Sequence, residues 1–227
     1  MEFMFDTVHL DTLKRSADLY PFFTGVTSNP TIFKREGPVD FFGHLRQVRR
    51  LIGHERTLHV QITADKAEDI LDEAEAVLGG TGDDAIFIKV PADPQGIKAM
   101  SLLKARGIGV TATAIYTKIQ GFLAICAGAD YIAPYCNRIE SQNVDIYETI
   151  AALRRMIDEN VSDAKILAAG FKTPEQLTGA LLAGAHCVTV MPELLDEAMD
   201  LPNVRAAIAA FKQSWTDVRG DVRITQM

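Results

Sequence analysis

Cysteine is scarce in this chain: Cys126, Cys136 and Cys187 are the only three in 227 residues. None has CxxC spacing, and the count is odd. That pattern argues against a disulfide framework and against a zinc site. Small buried apolar residues in a reducing compartment are expected instead. Long apolar runs are also lacking. No stretch approaches the ~20 residues of a membrane span, so no membrane partner is expected. The N-terminal MEFMFDTVHL carries acid at Glu2 and Asp6 and no cationic segment, so it does not read as a signal peptide. The expected location is cytoplasmic. Positive charge is not in excess: 23 Lys and Arg face 30 Asp and Glu, for a net charge of −7. Nothing in that balance points to a nucleic-acid partner. No GxSxG nucleophile elbow and no GxGxxG after the first apolar run occur.

What is present is a soluble globular balance, 48% hydrophobic and 23% charged. Short apolar runs alternate with amphipathic stretches from end to end. The runs are FMFD (3–6), GVTSNP (25–30), TLHVQIT (57–63), AIFIKVP (85–91), VTATAIY (110–116), YIAPYCN (131–137), KILAAGF (165–171) and CVTVMP (187–192). Helical spacing follows each, as in LDTLKRSADLY (10–20) and VDIYETIAALRRMIDEN (144–160). Asp65 is a candidate cap for the helix that follows the third run. Apolar runs without polar alternation are what a parallel sheet covered on both faces produces. Gly128 and Gly184 each end a helix just before a strand and read as left-handed C-caps. The expected fold is α/β: a single (β/α)8 TIM barrel over residues 1–227, with an extra C-terminal helix at 202–220. An open doubly wound sheet is the alternative. It lacks its phosphate-binding glycine motif.

In such a barrel the functional site lies at the C-terminal ends of the strands. Polar residues near the run ends are therefore the candidates. They are Asp6; Thr27, Ser28 and Asn29; Gln61 and Thr63; Lys89; Thr111, Thr113 and Tyr116; Tyr135, Asn137 and Arg138; and Lys172 beyond Gly170. The eighth run offers only Met191 and Pro192. Lys89 stands out. A solvated lysine is neutral only about once in two thousand at pH 7, and only the neutral amine attacks a carbonyl. Burial disfavours the charged form and so activates the amine. Ile86, Phe87, Ile88 and Val90 supply that setting, and Pro91 ends the strand. A structural ion pair with Asp6 is the other reading, and the strand pattern leaves both open. His9, His44, His54, His59 and His186 read as packed or solvated. One carboxylate at the strand ends, with no histidine beside it, is too few ligands for a divalent ion. No metal and no cofactor are expected.

Five motifs now carry a resemblance. GVTSNPTI (25–32), IKVP (88–91), TATAIY (111–116), APYCNRIE (133–140) and AAGFKTP (168–174) sit in order at the expected strand ends. With them the chain resembles the small transaldolase family, and within it the fructose-6-phosphate aldolase branch, over essentially its whole length. The resemblance implies a class I aldolase in which Lys89 forms a Schiff base. It implies that Asp6 handles protons and orients the donor, and that Asn29, within the Thr27–Ser28–Asn29 motif, binds donor hydroxyls. Gln61, Thr113 and Tyr135 would hold a catalytic water, and Arg138 an acceptor phosphate. Larger transaldolases are expected to carry Glu at the position of Gln61 and Phe at that of Tyr135. The residues here thus favour reversible cleavage of fructose 6-phosphate to dihydroxyacetone and glyceraldehyde 3-phosphate over transfer of a dihydroxyacetone unit. One position departs: Gly170 stands where the family commonly has a phosphate-binding serine. That leaves Arg138, backbone N–H groups and Lys172 for the phosphate, and it motivates a third reading, a non-catalytic sugar-phosphate binder. The C-terminal stripe Val204, Ile208, Phe211 and Trp215 would pack either on its own barrel or, as the resemblance suggests, on a neighbour in a pentameric ring that pairs into a decamer.

Overall fold

A computed structural model describes residues 1–227. Eight parallel strands close into a barrel in sequence order. They are β1 (Glu2–Phe5), β2 (Gly25–Thr27), β3 (Thr57–Gln61), β4 (Ile86–Pro91), β5 (Val110–Ile115), β6 (Tyr131–Pro134), β7 (Lys165–Ala168) and β8 (Cys187–Val190). The helices are α1 (Leu10–Leu19), α2 (Pro30–Glu36), α3 (Phe41–Ile52), α4 (Ala67–Thr81), α5 (Pro94–Ala105), α6 (Lys118–Cys126), α7 (Cys136–Glu140), α8 (Ile146–Glu159), α9 (Pro174–Leu182), α10 (Pro192–Met199) and α11 (Pro202–Arg219). No helix is long and apolar enough to cross a membrane.

Strand side chains alternate between two environments. Phe5, Val26, Leu58, Ile88, Ala112, Ile132, Ile166 and Val190 face outward and join helix residues such as Leu13, Leu45, Ile70 and Leu153 in the main core. The inward set builds layers along the barrel axis. Met4, Phe87, Tyr131, Leu167 and Cys187 form a separate small cluster low in the barrel. Below it Lys165 Nζ donates to Glu2 Oε1 at 2.5 Å, and Cys187 Sγ lies 3.4 Å from Glu2 Oε2. That end of the barrel is closed. Above the cluster the inward residues become polar.

Several run ends differ from the sequence reading, for one reason. GVTSNP leaves the sheet after Thr27, because Pro30 occupies the first turn of α2 and Asn29 caps it. YIAPYCN likewise turns at Tyr135 into α7. These two short helices add to the expected one per strand. Asp65 does not cap α4: Lys66 precedes the helix with no side-chain cap bond, and the Ala67 N–H donates to Gln95 Oε1 at 3.2 Å. Gly128 and Gly184 do adopt positive φ, 84° and 105°, just past α6 and α9. No residue of α11 is buried. Val204, Ile208 and Phe211 are 45%, 62% and 74% exposed, so the stripe does not pack on its own barrel.

One ion pair is sealed: Arg49 Nε lies 2.5 Å from Asp83 Oδ2, and both side chains are buried. Arg49 also donates to the Gly53 and Arg56 carbonyls, which ties α3 to the turn before β3. Its Nη2 has no partner. Removing the carboxylate would strand a buried cation. In urea denaturation Asp83→Ala is expected to lose about 3–5 kcal/mol. Removing the exposed Arg154–Asp158 pair with Asp158→Ala should lose about 0.5 kcal/mol or less.

Candidate active site

A cavity of about 540 Å³ opens at the C-terminal ends of the strands. Its lining includes Asp6, Asn29, Gln61, Tyr135, Asn137, Arg138, Gly170, Lys172 and Thr189. Lys89 stands deeper, 3% exposed. It pairs with Gln61 on β3 and Thr111 on β5, so polar side chains flank the lysine on both neighbouring strands.

Each candidate has a definite place. Asp6 accepts from Thr27 Oγ1 at 2.6 Å, and Thr27 Oγ1 is also 2.6 Å from Thr189 Oγ1. Thr27 is buried behind Asp6 and braces it rather than lining the cavity. Ser28 turns away from the mouth, its Oγ donating to the His59 carbonyl at 3.0 Å. Asn29 Oδ1 accepts from the Ile32 N–H at 3.0 Å, which leaves its Nδ2 donors for the cavity. Thr113 Oγ1 and the Tyr135 hydroxyl are 3.0 Å apart, and Tyr116 meets the Tyr135 ring edge-on at 5.8 Å. Gln61 Oε1 is sealed from solvent with no partner in the chain. Arg138 and Lys172 are exposed on the rim with Gly170 beside them. Gly170 has φ +72°, and an added Cβ would come no closer than 3.9 Å to Tyr135. Its backbone conformation, not space, is what favours glycine there.

The remaining run-end residues fall elsewhere. Thr63 donates from its N–H and Oγ1 to Glu73, at 2.6 and 3.0 Å, outside the mouth. His9 caps α1. His44 bonds the Val8 carbonyl at 2.8 Å, and His186 accepts the Ile166 N–H. No group of three or more His, Cys, Asp or Glu side chains converges to hold a metal ion.

One residue of the site and one that supports it from outside escaped the sequence reading. Thr189 was hidden because a single threonine inside CVTVMP reads as part of an apolar run; only the register shows that it faces inward beside Asp6. Gln120 was hidden because it lies on α6. Its Nε2 donates to the Ala92 and Ala114 carbonyls at 2.9 and 3.4 Å, clipping together the ends of the strands that carry Lys89 and Thr113. The capping box formed with Thr117 was the available signal. The clip holds a bulge in β5, where Ala114 takes φ +53° and the register against β6 shifts between Ala112 and Ile115.

The electrostatics follow from burial. Burial pushes the Lys89 ammonium below the ordinary lysine range, and the attraction of Asp6 opposes it only in part. Burial likewise raises the Asp6 carboxyl, against Lys89, the Thr27 hydrogen bond and Arg35. Desolvation thus outweighs mutual attraction at both groups. Burial also raises the Tyr135 phenol, with the Thr113 hydrogen bond opposing. The direct buried ion pair of the chain is Arg49–Asp83, not Lys89 with Asp6. A buried, unpaired amine at the foot of a polar cavity is suited to nucleophilic attack on a carbonyl.

An eight-stranded barrel with a desolvated lysine under a cationic rim defines an enzyme-like site. The sequence comparisons are more specific. The family profile described as Transaldolase/Fructose-6-phosphate aldolase matches residues 3–223. A protein of Streptococcus pneumoniae (strain ATCC 700669 / Spain 23F-1), named "Probable fructose-6-phosphate aldolase", is 48% identical over 215 residues, covering 95% of this chain and 96% of that protein. The chain belongs to the transaldolase/fructose-6-phosphate aldolase family, and is an aldolase-type lyase.

The opposition between burial and Asp6 is directly measurable. In Asp6→Asn the attraction that supports the ammonium is gone. The midpoint for modification of Lys89 by an amine-reactive reagent, read by peptide mass mapping, should move about one unit or more to lower pH. An unmoved midpoint would show that the two groups do not interact.

Proposed function

We propose that the protein is a class I aldolase that reversibly cleaves fructose 6-phosphate to dihydroxyacetone and glyceraldehyde 3-phosphate, through a Schiff base on Lys89. The observation that carries this reading is the buried lysine beside Gln61 with no ion-pair partner in reach, its amine favoured in the neutral form by burial. The name of the Streptococcus pneumoniae relative supports the substrate.

The chemistry follows in balanced steps. The Lys89 amine adds to the C2 carbonyl, and loss of water with uptake of one proton from Asp6, returned when the iminium is hydrolysed, leaves an iminium. Asp6, its carboxyl raised by burial, takes the proton of the C4 hydroxyl. The C3–C4 bonding electrons flow into the iminium, giving an enamine and freeing glyceraldehyde 3-phosphate. A water held by Gln61, Thr113 and Tyr135 carries a proton from the Tyr135 hydroxyl to C3 of the enamine. The proton on Asp6 returns to Tyr135 by the same water, and hydrolysis of the iminium frees dihydroxyacetone and the lysine. The orphaned Gln61 Oε1 and the Thr113–Tyr135 bond support the placing of that water. Asn29 offers its Nδ2 donors to donor hydroxyls. Arg138 and Lys172 supply the positive rim for the phosphate, with Gly170 contributing backbone only.

Borohydride trapping with dihydroxyacetone, mapped by mass, should place an adduct on Lys89, and Lys89→Ala should abolish both adduct and turnover. Free dihydroxyacetone formed without an acceptor aldehyde marks the aldolase; turnover only with added erythrose 4-phosphate would replace this reading by transaldolase. Tyr135→Phe should keep the adduct yet release free dihydroxyacetone about 10²–10⁴-fold more slowly.

We also propose that the working form is a homo-oligomer, a pentameric ring or a decamer of two rings. The support is α11, whose stripe residues Val204, Ile208 and Phe211 stand exposed on a helix with no buried residue. Light scattering should give a mass several times 24.9 kDa, and a monomeric mass would end the proposal.

A further inference from the structure

One layer below Lys89, on the neighbouring strand β3, the barrel holds a titratable side chain for which the aldol chemistry has no use. His59 is completely buried. Its ring stacks on Phe87 at 4.9 Å and 16° and meets Tyr131 edge-on at 4.8 Å. Both nitrogens are taken: Nδ1 is 2.8 Å from Thr111 Oγ1, and Nε2 is 2.9 Å from Thr57 Oγ1. The register places these groups against the lysine. His59 pairs with Phe87, the inward residue before Lys89, and Thr111 is the β5 partner of Lys89 itself. The imidazole therefore lies one layer below the amine and is linked through Thr111 to its flank.

The neighbours decide what such a ring can do. Lys89 on β4 and the Arg49 guanidinium on α3 both disfavour a second cation there, and burial does so more strongly. Arg49 is itself paired with Asp83. Tyr131 on β6 brings a phenol that burial keeps protonated. Thr27 on β2 and Thr111 on β5 bring only hydroxyls. The imidazole is thus a neutral dipole. Aliphatic or phenyl packing at this place would favour the free amine but destabilise the iminium equally, since both ammonium and iminium are cations. A carboxylate would hold the ammonium too firmly. A neutral, doubly hydrogen-bonded ring lies between these extremes.

We propose that His59 is a positioning residue acting through Lys89: its ring is the polar floor of the lysine's socket, and Thr111 carries that support to the lysine's side. The proposal rests on the imine chemistry above. The test is the pH profile of borohydride trapping with dihydroxyacetone, read alongside thermal unfolding. His59→Phe keeps the ring and its stacking but removes both hydrogen bonds. Its rising limb should move about one unit to lower pH, and its plateau should fall about tenfold. His59→Gln, which retains a donor and an acceptor, should restore most of both. If His59→Phe does not fold, Thr111→Val breaks the link at constant shape and should shift the limb in the same direction. Profiles that superimpose on the parent or move to higher pH, with only the Tm lowered, would overturn the proposal and leave His59 a packing residue. Absence of trapping in the parent protein would bring down the imine reading itself, and this proposal with it.

Discussion

Keeping an amine inside a barrel is the constraint on which the rest of this structure turns. An ammonium group buried inside the barrel loses hydration that attraction from one carboxylate does not replace. Lys89 lies below its ordinary range and Asp6 above its own, which means that burial wins at both. The barrel tolerates this because its two sets of strand residues have separate duties. The outward set fuses strands and helices into one continuous core, and that core holds the polar inward set in place. Asp6, Thr27 and Thr189 form one hydrogen-bonded string across three strands, and Thr57, His59 and Thr111 form a second beneath the lysine.

The mouth is built from residues that also start helices. Asn29 holds the first turn of α2, Tyr135 precedes α7, and Thr173 caps α9 next to Lys172. Gln120 caps α6 while clipping β4 to β5. Each such residue fixes the direction in which a strand end leaves the sheet, and thereby the aim of its neighbours. Geometry at the site and stability of the helices are set by the same side chains, so a change at Asn29 or Gln120 alters both.

Much of this was legible in the sequence. Parallel strands covered on both faces leave unbroken apolar runs, so all eight were visible, and Lys89 was conspicuous as a charge inside one of them. Gly128 and Gly184 marked helix ends because their left-handed conformation suits glycine. The misses share a cause. Periodicity shows that a run is buried but not where it leaves the sheet, so α2 and α7 were read as strand ends. Nor does it show which face a lone polar residue takes. Thr189 passed as a core position and Ser28 as a site residue, because only the register between strands separates these cases. The stripe on α11 was plain, but an amphipathic pattern does not say which surface covers it.

The closed lower end of the barrel has its own consequence. Met4, Phe87, Tyr131, Leu167 and Cys187 fill the interior below the lysine, and the Glu2–Lys165 pair stops it beneath them. The interior is therefore a blind well, not a corridor. Whatever reaches Lys89 must back out through the opening it entered, past Arg138 and Lys172. In any reaction that splits one molecule into two here, the fragment nearer the opening has to clear the passage before the one held at the bottom can follow. Order of release is then imposed by the shape of the vessel, independently of how strongly either fragment is held.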